Sequence, residues 1–258
     1  MAGGTRFENL PEGAISPLFP FGPMMLHSRL PMNMVRQLNK YANKVIKDEK
    51  RAKQLDHSDN LVGKLKQEFL IDHKELDKHT DTFNQIIANF VQTEMARHFK
   101  QLAKGTGFSI QYKSAWIVRQ FAGEFNPVHI HTSCDMSCVG YLKLPEKIDE
   151  EWEEDYKDHH PCKGHIEFIH GASGKMHQHR SLIRPTVGDF FLFPADLMHT
   201  VYPFYSDGER RSFSMNIQID QQKINEKGEA ESLGNSREHG YSISSGWKLD
   251  WMLPTKKI

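Results

Sequence analysis

The residues whose types and spacing could do chemistry are two histidines one position apart, His129 and His131, and a lone His199 much later in the chain. On a strand, residues two apart point to the same face. An H-x-H pair there presents two imidazoles to one side. His199 follows the apolar run Phe190–Phe193 and Pro194 closely enough to enter from a neighbouring strand. Three ligands on one side of a transition metal leave open positions opposite. The usual form of such a site is two histidines and a carboxylate; a third imidazole makes the centre one charge more positive. The competing explanation is chance, since the chain has fifteen histidines. His159, His160, His177 and His179 read as solvated loop residues.

Arg210 adds a second group. It opens a final strand in which Arg210, Ser212, Ser214 and Asn216 alternate with Arg211, Phe213, Met215 and Ile217. Either this polar face looks into a barrel, where Arg210 and Ser212 form a clamp for a carboxylate, or the strand lies at an edge with its polar face in water.

Elements that could hold these residues can be read along the chain. Residues 1–31 carry five prolines, with Phe19 and Phe21 among them, and read as an extended arm on the body of the protein. From about Asn33 to Gln54, Val35, Leu38, Tyr41, Ala42, Val45 and Ile46 fall on one helical stripe. Ser58 to Ile71 contains a second element. A third helix is the clearest: Thr82 and Gln85 read as a capping box, Phe83 to Leu102 repeats at three and four, and Gly105 and Gly107 stop it. Short strands follow around Ile110–Phe121, Val128–His131, Cys138–Leu144, Ile166–Ile169, Leu182–Pro185, Phe190–Phe193, Met198–Tyr202 and Arg211–Ile219. Asp149–His160 reads as a solvated loop, and Gly171–His179 as a polar turn or flap. The order predicts an α+β protein with a β sandwich or barrel as its core. In outline, 1–105 is an arm with helices packing on the core, 106–220 is the core, and 221–258 is a tail wrapping back through Trp247, Leu249, Trp251, Met252 and Leu253. All three form one domain.

Composition narrows the classes. Lys+Arg and Asp+Glu are both 33, so the chain lacks the basic excess that broad nucleic-acid binding needs. Cys134, Cys138 and Cys162 form neither a C-x-x-C pair nor an even disulfide framework. The first residues lack a secretory pattern, and no apolar run approaches the ~20 residues of a membrane span. The expectation is a cytoplasmic protein, in the host cytoplasm if phage-encoded, without a membrane partner.

Three ordered blocks resemble one family. Gly123–Pro145 is similar to a glycine, H-x-H, S-G-V-Y-Y-L and proline pattern. Pro185–His199 is similar to P-x-x-G-D, an apolar strand, F-P and a distal histidine. Glu209–Asn216 is similar to an E-R-x-S-x-S-x-N ending. The pattern is that of 2-oxoglutarate/Fe(II) oxygenases found in marine bacteria and in phages of cyanobacteria. Before residue 105 the resemblance is loose and lies mainly in Asn60–Gly63.

The resemblance implies a double-stranded β-helix (jelly-roll) fold with Fe(II) as cofactor and 2-oxoglutarate and O₂ as co-substrates. It implies His129 and His199 as iron ligands, with either His131 as a third ligand where the superfamily carries Asp or Glu or water in that place, and Arg210 with Ser212 on the far carboxylate of 2-oxoglutarate. The reaction would be hydroxylation of an unactivated C–H coupled to release of succinate and CO₂. Tyr141, Trp116 and Asn126 are candidates to line the pocket, Tyr141 and Asn126 on the co-substrate. Gly140 and Cys138 depart from the family pattern and would change the pocket floor, so substrate choice does not transfer. The substrate is expected to be a peptide side chain or a small molecule, and a homodimer is left open.

Two rivals stand beside this. Gly123, His129, His131 and Asp135 also resemble the first cupin motif with Asp for Glu, giving a metal site of His129, His131, Asp135 and His199 in an isomerase or a 2-oxoglutarate-independent dioxygenase. A non-enzymatic structural jelly roll would need no interior histidines.

Overall fold

The computed structural model describes residues 10–18, 22–58, 62–99, 106–153, 161–172, 178–224, 230–232 and 247–249. The chain opens with strands β1 (Ile15–Leu18) and β2 (Met25–Arg29), then helices α1 (Met32–Lys47) and α2 (Glu49–Gln54). Strand β3 (Gln67–Leu70) precedes a short helix α3 (His73–Leu76), a 3-10 turn (Asp77–His79) and the long helix α4 (Thr80–Phe99). Then come β4 (Thr106–Gln120), β5 (Asn126–His129), β6 (Met136–Lys143), helix α5 (Ile148–Glu153), β7 (Ile166–Ile169) and β8 (Arg180–Ile183). The chain continues through β9 (Asp189–Pro194), β10 (Met198–Val201), β11 (Arg210–Ile224), β12 (Ala230–Ser232) and β13 (Trp247–Leu249).

These strands form two antiparallel sheets. The larger runs β1-β2-β9-β6-β11-β4-β13, with β12 added beside β11 and β3 beside β4; the smaller runs β5-β10-β7-β8. From β4 to β11 the chain alternates between them, with only the β7–β8 pair staying in one sheet. That winding is a jelly roll.

Each face of the larger sheet has its own core, because successive side chains point to opposite sides. One face buries Cys138, Phe190, Leu192, Phe213, Met215 and Ile217 in a cluster with Leu38 of α1 and with Phe83 and Ile87 of α4. Phe83 packs in tilted contact with Phe190 and Phe213 at ring separations of 5.8 and 5.7 Å. The other face puts Val139, Tyr141, Phe191 and Phe193 against Ile166, Phe168 and Ile183 of the smaller sheet. Every residue from Phe190 to Phe193 is therefore buried, as its unbroken apolar run requires.

Several sequence expectations need correction. The N-terminal arm is extended, but it joins the sheet: β2 pairs with β9 along Leu26–Arg29. His27 Nε2 lies 2.9 Å from Asp189 Oδ1, Arg29 donates to the same oxygen at 2.8 Å, and Asp189 Oδ2 accepts from the backbone and hydroxyl of Thr186. The Gly188-Asp189 signature thus ties the turn and the arm to the sheet. Ser58–Ile71 yields a strand, β3, paired with β4. Helix α4 starts at Thr80 because the preceding 3-10 turn winds straight into it, so Thr82 is not its cap. Gly107 lies within β4, while Leu102 and Gly105 lie outside the described residues. Part of the expected loop after Asp149 is helix α5, anchored by buried Ile148 and Trp152 one turn apart against Phe204. His159, His160 and His177 lie outside the described residues, as do Phe19, Phe21, Asn60, Leu61, Trp251, Met252 and Leu253. Strand β11 runs past residue 220 to Ile224. Among the described residues no helix is long and apolar enough to cross a membrane.

Candidate metal centre and anion pocket

Strand pairing brings the histidines together. In the ladder between β10 and β5, His199 stands directly opposite His129. Strand β5 ends at His129, and His131 follows in irregular chain whose backbone N–H donates to Ala195 O at 2.9 Å. That bond folds the third ring under the first two. The ring centroids are 4.2 Å apart for His129–His199, 5.5 Å for His129–His131 and 5.2 Å for His131–His199. One nitrogen from each ring falls within 4.8 Å of the others.

The surroundings suit these rings to bind a cation rather than protons. His129 Nδ1 lies 2.8 Å from Pro127 O, and His199 Nδ1 lies 2.9 Å from Leu197 O. A proton on each Nδ1 satisfies those carbonyls and leaves the Nε2 lone pair for a metal. Burial lowers the pKa of all three imidazoles, His131 to about 4 and His199 to about 3, and for these last two repulsion from neighbouring histidines adds to the effect. Phe193 and Phe168 pack on His199, and Trp116 packs on His131 at 5.9 Å. Three neutral imidazoles in an aromatic wall fit an iron, zinc or copper ion.

The same cavity, about 790 Å³, is lined by Arg210, Ser212, Ser214 and Asn216, so the polar face of β11 does look inward. Arg210 is 2 % exposed. Its Nε and Nη2 donate to Gln120 Oε1 at 3.2 and 2.6 Å, Nη1 to Gly164 O at 2.8 Å, and Nη2 to Tyr202 O at 3.3 Å. All three acceptor atoms are neutral. Among the described residues no carboxylate pairs with it, and burial pushes its pKa down to about 10. Tyr141 also lines the cavity, and among the described residues its buried hydroxyl has no hydrogen-bond partner, nor has Asn216 Oδ1. A buried cation beside an unspent hydroxyl is a receptor for an anion.

Other sequence candidates fall as follows. Asn126 lines the cavity, but its amide donates to Val62 O at 2.7 Å. It ties the loop containing Gly63 to β5. Gly63 has φ +108°, and a Cβ there would lie 2.3 Å from Phe125 O, so only glycine allows the two segments to pair. Gly140 is not on the pocket floor: strand alternation sends Val139 and Tyr141 inward and turns residue 140 toward Phe213. Cys138 does line the cavity, as expected, and also belongs to the helix-side cluster. Asp135 is exposed, and its Oδ2 accepts from Ile219 N–H at 2.8 Å, outside the histidine cluster. The four-ligand cupin arrangement is therefore not formed.

Two further residues belong to the site, Gln120 and Glu68. Gln120 holds Arg210 and was legible from alternation, since Trp116, Val118 and Gln120 share a face. Glu68 lines the cavity from β3, and nothing in its local pattern marked that element as a strand.

Inside a jelly roll, one cavity is lined by an imidazole triad that could hold a metal ion and by a buried guanidinium. Residues 114–216, from β4 to β11, match the sequence family described as "Putative 2OG-Fe(II) oxygenase". The matched span contains all three histidines and Arg210. The protein is an oxidoreductase, a 2-oxoglutarate- and Fe(II)-dependent oxygenase. No curated protein matches in sequence. Solved structures similar in part include a Pseudomonas putida prolyl-4-hydroxylase, at 17% identity and TM-score 0.45, covering 79% of this chain and 91% of that one. A Trichoplax adhaerens prolyl hydroxylase in complex with a hypoxia inducible factor peptide fragment has 11% identity and TM-score 0.45, covering 79% and 83%. AviO1 from Streptomyces viridochromogenes has 14% identity and TM-score 0.47, covering 75% and 89%.

Proposed function

We propose that the protein hydroxylates an unactivated C–H bond of a peptide side chain or small molecule, with His129, His131 and His199 holding Fe(II) and Arg210, Ser212 and Tyr141 receiving 2-oxoglutarate. Bound iron supplies O₂ activation coupled to decarboxylation of 2-oxoglutarate, so that R–H, O₂ and 2-oxoglutarate become R–OH, succinate and CO₂. The observation that carries the reading is Arg210: a buried guanidinium with only neutral partners, facing the cavity that the three imidazoles line.

The chain's own residues do the positioning. The carbonyls of Pro127 and Leu197 hold two rings with Nε2 toward the metal. Four of the five N–H donors of Arg210 are engaged, the longest at 3.3 Å to Tyr202 O. A carboxylate takes the fifth, competes for that weak one, and accepts from the Tyr141 hydroxyl. Phe193, Val139 and Ile166 form the apolar wall that excludes water. The cavity is larger than 2-oxoglutarate requires, which leaves room for the substrate beside Trp116.

The test is turnover with Fe(II), ascorbate and 2-oxoglutarate. Succinate should form in the presence of iron and fail to form when iron is chelated or His199 is replaced by alanine. Iron-independent succinate release would refute the reading.

A further inference from the structure

Among the described residues that line the cavity, Glu68 is the only one with a carboxyl group. It lies on β3 opposite Val118, which in turn stands opposite Ser212 on β11. Two strand spacings, about 10 Å, separate it from the co-substrate end. Phe69 next to it points into the helix-side core, so Glu68 faces inward. The residue is 5 % exposed; its hydrogen bonds with the Ser58 hydroxyl are made by its backbone, and its carboxyl has no hydrogen bond or ion pair among the described residues. Burial alone pushes its pKa up to about 7, with no cation or donor nearby to hold it down. Trp116, which packs on His131 at 5.9 Å and on His57 at 5.8 Å, lines the cavity between the metal site and this wall.

A carboxyl taken out of water without a partner is a cost to the fold. A ligand group that pairs with it recovers that cost, and the only charges strong enough to do so are cations. Trp116 offers an aromatic surface beside it, which favours an alkylammonium over an anion or a bare hydroxyl. The cavity therefore holds a guanidinium for the anionic co-substrate at one end and a carboxylate at the other, with Lys113 also in its lining. Resting on the oxygenase reading, we infer that Glu68 is the specificity residue of the substrate subsite, and that the substrate carries an alkylammonium group seated between Glu68 and Trp116. The oxidised carbon then lies several bonds from that nitrogen, on the histidine side of the indole.

The experiment uses n-pentylammonium and its uncharged analogue n-pentanol, each titrated into the full-length protein and followed by ligand-observed saturation-transfer NMR. The wild type should bind pentylammonium at least ten-fold more tightly than pentanol. Glu68→Gln should weaken pentylammonium by about ten- to hundred-fold, the range for a hydrogen bond to a charged group, and leave pentanol unchanged. Glu68→Asp, which keeps the charge on a shorter arm, should fall between. Thermal melting of each variant identifies any loss of fold. Nα-acetyl-lysine N-methylamide separates sources: tighter binding than pentylammonium assigns the amine to a peptidyl lysine, weaker binding to a small free amine. Equal binding of pentylammonium by wild type and Glu68→Gln, or a wild-type preference for pentanol, would overturn the inference. The visible absorption band of the wild type with Fe(II) and 2-oxoglutarate is recorded separately. Its absence would count against the oxygenase reading, independently of the amine result.

Discussion

Replacing Arg210 by leucine tests the anion pocket quantitatively. The guanidinium is buried and held by Gln120, Gly164 and Tyr202, all neutral. A carboxylate arriving beside it forms a desolvated, charge-assisted pair. Breaking such a pair from one side costs about 3–5 kcal/mol, or roughly a hundred- to several-thousand-fold in affinity. Arg210→Lys keeps the charge but loses the planar fork, so a smaller loss of about ten-fold is expected. The free protein should tolerate the leucine, because the lost hydrogen bonds are offset by removing an uncompensated buried cation. Fe(II) affinity should not change, since Arg210 touches none of the three imidazoles. The assay is anaerobic titration of the Fe(II) protein with 2-oxoglutarate, read through the weak visible band of the chelate. An Arg210→Leu dissociation constant within three-fold of wild type, with iron still bound, would refute the argument.

Three other outcomes follow from the same structure. Tyr141→Phe should raise the melting temperature, because it removes a buried hydroxyl that has no partner, yet weaken 2-oxoglutarate by about ten-fold; melting curves and the same titration check both signs. Gly140→Ala should destabilise the chain by about 2–3 kcal/mol, since a Cβ there would sit 2.2 Å from Phe213 Cε1 and that ring is wedged between Phe83 and Phe190. Denaturant titration measures it. The Glu68 carboxyl is raised from 4.5 to about 7 in the folded chain, so the folded state keeps a proton that the unfolded state releases over that interval. Stability is intact below about 4.5 and declines as pH rises to about 7. Glu68→Gln should match wild type at the acid end and exceed it at pH 8, by up to about 2–3 kcal/mol, in melts recorded across pH.

What was legible in the sequence is what strand periodicity carries. The alternation after Arg210 forecast which side chains line the cavity, and Phe190–Phe193 forecast a strand buried on both faces. His129-x-His131 was legible for a partly different reason. The strand stops at His129, and the third ring reaches the cluster through the backbone bond from His131 to Ala195. Strand β2 escaped because Met25–Ser28 is buried on both sides and sits among prolines, so neither alternation nor a long apolar run marks it. Strand β3 is four residues long, too short for a period, and Glu68 looked like surface charge. The placement of Gly140 was misjudged because a departure from a family pattern does not say which face of a strand it lies on; the odd–even count from Tyr141 would have done so.

The central claim is that three imidazoles hold one iron, and crystals grown with Fe(II) under anaerobic conditions test it directly through an anomalous difference map at the iron edge. A single strong peak is expected, bonded to Nε2 of His129, His131 and His199, on the cavity side facing Arg210. A peak elsewhere, or one bonded to Asp135 with His131 turned away, would contradict it.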